Sequence, residues 1–121
     1  MRLRAGQHLR RNDDFRAIRE QGRRLDCGAF LMTWRVRPGV ATPARVGVVA
    51  SRAAVGGAVE RNRAKRRLRE LYRRHQVLVP AGLDLVLTAR GSILRLEFPV
   101  LEQRFLHACR QLSAPPPAAR A

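Results

Sequence analysis

Apolar residues recur at helical spacing in three segments of this 121-residue chain. The first segment begins at Asn12, a residue type that caps helix N-termini, and ends near Gln21, just before Gly22. The second spans residues 58–76 and the third spans residues 97–112. The pattern therefore predicts three amphipathic helices, each with one face docked on a core. The core-facing side of the second helix comprises Ala64, Leu68, Leu71, Tyr72 and His75.

Three further segments follow the pattern of β-strands. Residues 28–37 alternate between two faces, with the aromatic residues Phe30 and Trp34 on the same face. Residues 45–50 form a nearly continuous apolar run, which predicts a strand that is buried on both faces at the centre of a sheet. Residues 84–89 form the third predicted strand.

Loops rich in glycine and proline separate these elements. Residues 38–43 form one loop, and residues 51–57, which end in Gly56-Gly57, are expected to be a flexible connection into the second helix. The resulting order is helix, strands, helix, strand, helix, which predicts an α+β or α/β sandwich with helices packed on a small sheet. Residues 45–90 are long enough to form a crossover between two parallel strands.

The chain length suits one domain with a modest core. Residues 1–8 are predicted to form a basic arm, residues 9–113 a folded domain, and residues 114–121 a disordered, proline-containing tail. No apolar stretch is long enough for a signal peptide or a membrane span, so we expect a cytoplasmic protein with no membrane partner. Cys27 and Cys109 form no metal-binding motif and are expected to be small buried hydrophobes.

The second predicted helix carries a dense cluster of positive charges. Of the fourteen residues from Arg61 to Arg74, eight are basic and only Glu70 is acidic. The whole chain carries a formal net charge of +16. A row of cations at helical pitch, opposite a core-facing stripe, is suited to the phosphates of a nucleic acid. A merely solvated helix surface and a basic membrane-surface helix are the alternatives, and the narrow apolar side argues against the membrane.

The acidic residues form no recognisable catalytic constellation. A protein nuclease needs converging metal-binding carboxylates or a histidine acid–base pair. Asp13 and Asp14 are explained as helix-start residues, while Glu97 and Glu102 differ by five positions and do not share a helix face. No phosphate-binding loop and no HExxH motif is present. We therefore expect no catalytic residue, no metal bound by the protein alone and no small-molecule substrate.

The segment from Gly56 to Arg66 reads Gly-Gly-Ala-Val-Glu-Arg-Asn-Arg-Ala-Lys-Arg. It resembles the signature of the bacterial ribonuclease P protein subunit, Gly-x-Ala-Val-x-Arg-Asn-Arg-x-Lys-Arg, at each specified position. The resemblance implies an α+β fold: an α-β-β-β-α-β-α two-layer sandwich with a small mixed sheet and a left-handed crossover through the basic helix. It also implies a function, as the small subunit of a ribozyme that removes the 5′ leader from precursor tRNA. The catalytic chemistry and the Mg²⁺ ions would belong mainly to the RNA subunit.

The resemblance also implies roles for individual residues. Contacts with the RNA subunit are expected from Arg52, Arg61, Asn62, Arg63, Lys65, Arg66, Arg69 and Arg73. Contacts with the single-stranded leader, in a cleft between the first helix and the sheet, are expected from Phe15, Arg19, Trp34, Arg45 and Arg90. Stacking on an aromatic ring is the expected physics for a single strand.

Three positions depart from the family pattern. The second cleft aromatic is Arg19 in this chain. The strand tyrosine falls at Thr33, beside Trp34, so that the strand register decides which side chain faces the leader. The basic pair before the glycine is reduced to Arg52. Two other classes stay open from the residues alone: a small ribosomal-type structural RNA-binding protein, and a DNA-binding module that places the basic helix in a major groove.

Overall fold

The computed structural model describes residues 12–37 and 43–112, with the backbone alone for residues 12–15 and 21. Within these ranges the chain forms four α-helices and four strands, besides two short 3₁₀ helices (Gln76–Leu78 and Gly91–Leu94). In chain order they are α1 (Asn12–Gln21), β1 (Arg23–Asp26), β2 (Phe30–Val36), β3 (Arg45–Val49), α2 (Arg52–Val55), α3 (Ala58–His75), β4 (Leu83–Ala89) and α4 (Phe98–Leu112). The predicted basic arm, the predicted tail and most of the predicted loop at 38–43 lie outside the described residues, so the domain boundaries stay predictions.

The four strands form one mixed sheet in the order β1-β2-β4-β3. β2 is antiparallel to both β1 and β4, whereas β3 is parallel to β4. Because β3 and β4 are parallel neighbours, the chain between them crosses over through α3. This arrangement confirms the mixed α+β fold that the family resemblance implies, and the left-handed sense of the crossover stays a prediction.

One face of the sheet carries most of the core. Phe30, Met32 and Trp34 of β2 lie on this face, together with Leu85 and Leu87 of β4. They pack against the apolar sides of α3 and α4, which contribute Leu68, Leu71, Tyr72, Leu101, Phe105 and Cys109. The predicted alternation of β2 and the predicted core-facing side of α3 are therefore confirmed, although His75 is only half-buried.

The opposite face of the sheet is covered in part by α1. Ile18, which is 1% exposed, packs there with Val86 of β4 and Val49 of β3. Where α1 meets β1, the backbone comes close to its neighbours. A Cβ atom on Gly22 would stand 2.3 Å from the carbonyl oxygen of Ile18 and 2.7 Å from that of Trp34, so glycine is required at this junction.

Two features of the sheet differ from the expectation based on residues alone. β1 was not predicted, because Arg23-Arg24-Leu25-Asp26 holds a single apolar residue and shows no alternation. β3 was predicted at the centre of the sheet, but it lies at the edge. Its apolar run has another cause: Val46 faces the main core while Val49 packs under α1, so both faces are covered.

The segment before α3 is also more ordered than expected. Arg52–Val55 form one helical turn, α2, instead of a flexible connection. Its start is capped by Ser51, whose Oγ accepts a hydrogen bond of 3.1 Å from the backbone N–H of Ala54. Gly56 ends it at φ 118°, a backbone conformation that L side chains rarely adopt.

Candidate nucleic-acid interface

The outer side of α3 is a strongly basic surface. Ala64, Leu68, Leu71 and Tyr72 are buried against the sheet and α4, so the opposite side of the helix faces solvent. The exposed residues of that side are Asn62, Arg63, Arg66 and Arg69, while Arg61 and Lys65 lie half-buried beside them. The amphipathic pattern thus places six of the eight predicted RNA-subunit contacts along one helix surface.

The N-terminal end of α3 is held by its own carboxylate. Glu60 accepts a hydrogen bond of 2.9 Å from the backbone N–H of Gly57, which satisfies one of the unpaired amides at the helix start. The short helix α2 packs beside α3 at this end. Arg52, a seventh predicted contact, is an exposed residue of α2.

Towards the C-terminal end of α3, one carboxylate neutralises part of the positive charge of the helix. Glu70 accepts hydrogen bonds of 2.8 Å and 2.6 Å from Arg73 and one of 2.9 Å from Arg74. These hydrogen bonds, and the charges behind them, outweigh a small desolvation effect and lower the pKa of Glu70 to about 2. Arg73, the eighth predicted contact, is therefore ion-paired inside the helix, and the open row of cations ends at Arg69.

Two arginines of α3, Arg67 and Arg74, contact other elements of the fold. Arg67 donates a hydrogen bond of 2.9 Å to the carbonyl oxygen of Ile93, and burial followed by the charge of Arg63 lowers its pKa. Arg74 lies 4.7 Å from the centre of the Phe98 ring at the start of α4. Both residues flank the predicted stripe, and the structure gives them packing contacts within the protein.

A second candidate surface is a cleft between α1 and the sheet face opposite the main core. Its volume is about 330 Å³. The lining residues are Ile18, Arg19, Arg24, Leu31, Thr33, Val49, Val86 and Thr88. The floor is mostly apolar, and the exposed side chains of Arg19 and Arg24 stand at the rim. Of the predicted leader contacts, Arg19 therefore lines the cleft.

Trp34, another predicted leader contact, does not line this cleft. The alternation of β2 turns Trp34 towards the main core, where it is 6% exposed and has Arg23 5.8 Å from its ring centre. Thr33 occupies the opposite face and lines the cleft. Phe15 belongs to α1, but its side chain lies outside the described residues.

Arg45 and Arg90 stand towards opposite ends of the cleft-facing side of the sheet. Arg45 pairs with Asp84, which is fully buried and also binds Arg35 and Arg37. Burial raises the pKa of Asp84, but the hydrogen bond and charge of Arg45 and the contacts with Arg37 and Arg35 outweigh it, so the pKa lies below its usual value. Arg90 follows β4 and pairs with Asp26 at 3.2 Å.

The residues alone did not indicate Arg24 or Thr88 as lining residues. Arg24 belongs to β1, the strand that lacked an apolar pattern, and it lies directly opposite Thr33 in the sheet. Thr88 lies in a correctly predicted strand, β4, but the prediction did not assign the two faces of that strand. The alternation of side chains along β4 could have indicated Thr88 as a lining residue, because Val86 and Thr88 lie on the same face of the sheet as Asp84.

In the described ranges, no group of three or more His, Cys, Asp or Glu side chains is placed to hold a metal ion. In the same ranges, no helix has the length and apolar character that crossing a membrane requires. Burial, as the largest effect, raises the pKa of the Cys27 thiol to about 11 and that of Cys109 to about 12. Neither cysteine therefore offers a thiolate at neutral pH.

Residues 3–113 match the family model named Ribonuclease P. The chain belongs to the ribonuclease P protein family. It is 42% identical over 88 residues to the ribonuclease P protein component of Chloroflexus aurantiacus, covering 73% of this chain and 63% of that relative. It is 33% identical over 103 residues to the component of Brevibacillus brevis, covering 85% and 80% of the two chains. The chain thus spans less than two thirds of the length of the Chloroflexus relative.

Solved structures of ribonuclease P proteins agree with this assignment. The Thermotoga maritima protein superposes with a TM-score of 0.76 at 29% identity, covering 88% of this chain and 98% of that one. The Staphylococcus aureus protein gives the same TM-score at 21% identity, covering 88% and 95% of the two chains. The second likeness concerns the fold alone.

Proposed function

We propose that this chain is the protein subunit of ribonuclease P. It binds the catalytic RNA subunit and the 5′ leader of precursor tRNA, and promotes endonucleolytic removal of the leader. The observation that carries the proposal is the open row Arg63, Arg66 and Arg69 on α3, in a chain of the ribonuclease P family. In this proposal the RNA subunit performs the chemistry, with Mg²⁺ bound mainly by that RNA.

The two basic surfaces suit two different forms of RNA. Fixed guanidinium groups at helical pitch on α3 fit the phosphate backbone of a folded RNA, because they neutralise repulsion between phosphates at close approach. The cleft at α1 is partly apolar and is lined by Arg19 and Arg24, which suits a single strand with unstacked bases. α1 lies on the sheet face opposite the main core, and α3 packs on the core side, so both RNAs can be bound together.

The family match disfavours a ribosomal-type structural protein, and the DNA-binding module has no supporting helix-turn-helix arrangement in the described ranges. The proposal involves no membrane and no small-molecule substrate. A cytoplasmic location stays a prediction from the sequence.

Cleavage of precursor tRNA by the RNA subunit, with and without this protein, tests the proposal. We expect the protein to lower the Mg²⁺ concentration that half-maximal cleavage requires, because cations on α3 replace part of the screening by metal ions. The protein alone should cleave nothing. A matched control is the Arg104→Ala/Arg110→Ala double variant, which removes two exposed cations of α4 and one hydrogen bond of 3.1 Å from Arg104 to the carbonyl oxygen of Cys27. Its Mg²⁺ requirement should equal that of wild type. An unchanged Mg²⁺ requirement, or cleavage by repurified RNA-free protein, contradicts the proposal.

A further inference from the structure

Glu70 is the one acidic residue among the fourteen residues from Arg61 to Arg74, and both of its carboxylate oxygens bind arginine. Oε1 accepts a hydrogen bond of 2.8 Å from Nε of Arg73. Oε2 accepts one of 2.6 Å from Nη2 of Arg73 and one of 2.9 Å from Nε of Arg74. A two-bond contact such as that with Arg73 is a strong form of arginine–carboxylate pairing. One carboxylate therefore offsets two neighbouring cations near the C-terminal end of α3.

Arg74 has further partners on α4. Its Nη1 lies 3.5 Å from Oε2 of Glu102, and its Cζ lies 4.7 Å from the centre of the Phe98 ring. The side chains of Arg73 and Arg74 nevertheless keep partial access to solvent, so an RNA can approach both. A phosphate that approaches them must compete with a carboxylate that is already bound, and Glu70 itself repels that phosphate.

The other exposed arginines of the same helix are in a different state. Among the described residues, Arg63, Arg66 and Arg69 make no ion pair, and all three are exposed. α3 thus carries an open row of three cations whose charge is not offset, followed by two cations whose charge Glu70 offsets. The boundary lies within about one helical turn, between Arg69 and Arg73.

The charge of Glu70 affects the helix surface more than it affects the fold. Hydrogen bonds from Arg73 and then from Arg74 lower the pKa of Glu70 to about 2, so the carboxylate is ionised at neutral pH. Because both partners of each pair keep access to solvent, the pairs contribute little to folding stability. The main effect of Glu70 is therefore on the charge that α3 presents to RNA.

Positive charge on such a surface attracts every RNA. Each arginine that neutralises a phosphate releases counterions and strengthens binding, whatever the sequence of the RNA. Specificity is a difference between two affinities, so a protein also becomes more specific when it weakens binding to the wrong partner. A carboxylate that offsets arginines outside the open row weakens this general attraction and leaves the open row unchanged.

We propose that Glu70 is a specificity-determining residue, which keeps Arg73 and Arg74 from binding RNAs other than the RNA subunit. The RNA subunit is then selected by the fit of its phosphates to the open row. This inference rests on the proposed function and names how the α3 surface discriminates between RNAs. It treats Arg73 as an offset cation, whereas the family resemblance implies an RNA contact there.

The first experiment measures the affinity of wild type and Glu70→Gln for two RNAs. One is the RNA subunit, and the other is a perfectly paired RNA duplex, which offers phosphates without the fold of the subunit. Glutamine keeps the size and the helix propensity of the side chain and removes its charge.

In Glu70→Gln, the dissociation constant for the duplex should fall about three- to tenfold, while that for the RNA subunit should change less than about twofold. The preference for the RNA subunit therefore decreases. The slope of log K against log salt for the duplex should steepen by about 0.7–0.9 for each released arginine that reaches a phosphate.

Glu20→Gln is the matched control. It removes the same charge from an exposed residue of α1, which lies on the sheet face opposite α3, and Glu20 makes no ion pair among the described residues. Its preference for the RNA subunit should equal that of wild type. If Glu20→Gln loses as much preference as Glu70→Gln does, net charge alone explains the effect and the inference is wrong.

The second experiment asks whether Glu70 acts through Arg73. In the wild-type background, Arg73→Gln should change the affinity for the duplex only slightly, because Glu70 already offsets that cation. In the Glu70→Gln background, the same substitution should weaken duplex binding about threefold, since the arginine is then free to contact a phosphate. The double-mutant cycle thus measures a coupling between the two positions. Equal effects of Arg73→Gln in the two backgrounds contradict the inference.

The outcomes also separate this inference from the proposed function. If Glu70→Gln keeps the wild-type preference, or gains equally for both RNAs, Glu70 does not determine specificity. Neither result affects the proposed function, which stands as long as wild type lowers the Mg²⁺ requirement of the RNA subunit. Thermal unfolding checks the fold of each variant. Glu70→Ala, which also lacks the charge and favours a helix, must show the same loss of preference as Glu70→Gln.

Discussion

Asp84 accepts hydrogen bonds from both Nε and Nη2 of Arg45, at 2.8 Å and 2.9 Å. Arg35 and Arg37 bind the same carboxylate from β2 and the residue after it. Asp84 is fully buried, whereas the three arginine side chains keep partial access to solvent. A single carboxylate thus joins β2, β3 and β4 at the end of the cleft where Arg45 stands.

Replacing Asp84 with Asn should destabilise the protein strongly. Removing the charge leaves three guanidinium groups close together without their common partner. Breaking a buried pair of this kind costs about 3–5 kcal/mol of the free energy of unfolding, and the partial exposure of the arginines favours the lower end. Urea unfolding measures the loss. Asp26→Asn, which removes an exposed pair with Arg90, is the control and should cost less than about 1 kcal/mol.

The same carboxylate makes stability depend on pH in the acid range. The pKa of Asp84 is lower in the folded protein than its ordinary value of 3.8, and that of Glu70 falls from 4.5 to about 2. Their contributions are therefore complete above about pH 4.5 and decrease as the pH falls below these ordinary values. We expect the stability difference between wild type and Asp84→Asn to shrink as the pH falls from 5 to 2 (a range set by those pKa values). A constant difference across that range would mean that the folded pKa is not depressed.

The Arg63→Ala/Arg66→Ala variant should bind the RNA subunit more weakly with no loss of fold. Both side chains are exposed, and alanine favours a helix, so the melting temperature should stay close to that of wild type. The slope of log K against log salt should fall by about 0.7–0.9 for each phosphate contact that is lost. Filter binding over a salt series checks this. If this variant and the Arg104→Ala/Arg110→Ala control bind the RNA subunit with equal affinity and equal salt slope, the α3 surface is only a solvated helix face.

Trp34→Ala should affect folding and leave leader recognition unchanged. Trp34 is buried in the main core on the face opposite the cleft, and removal of such a ring costs about 3–5 kcal/mol of the free energy of unfolding. Below its lowered melting temperature, the variant should still prefer precursor tRNA over mature tRNA as strongly as wild type does. A selective loss on the leader-bearing substrate, with normal stability, would return Trp34 to the leader site.

The two cysteines should react slowly with alkylating reagents in the folded protein. The pKa of Cys27 is raised to about 11 and that of Cys109 to about 12, chiefly by burial, so the reactive thiolate is scarce at pH 8. Labelling with iodoacetamide, followed by mass spectrometry, should give two modified thiols in urea and slow modification without it. Rapid native labelling of Cys109 would show that the core around α4 opens readily.

The sequence determined the elements whose residues carry a long, regular pattern. The 3.6-residue period of α3 placed Ala64, Leu68 and Leu71 on the buried face and Arg63, Arg66 and Arg69 on the exposed face. The sequence pattern shows this separation because apolar residues favour burial and arginines favour solvent. The motif from Gly56 to Arg66 identified the family for the same region. The basic surface was therefore predictable almost residue by residue.

Only the tertiary structure decided which side chains share the cleft. A period of two puts Thr33 and Trp34 on opposite faces, but the pattern does not say which face meets α1 and which meets α3 and α4. The edge position of β3, the existence of β1 and the ion pairs of Asp84 also depend on neighbours distant in the chain. Local periodicity is a property of consecutive residues, whereas register, strand order and ion pairs between strands arise only when separate segments pack together.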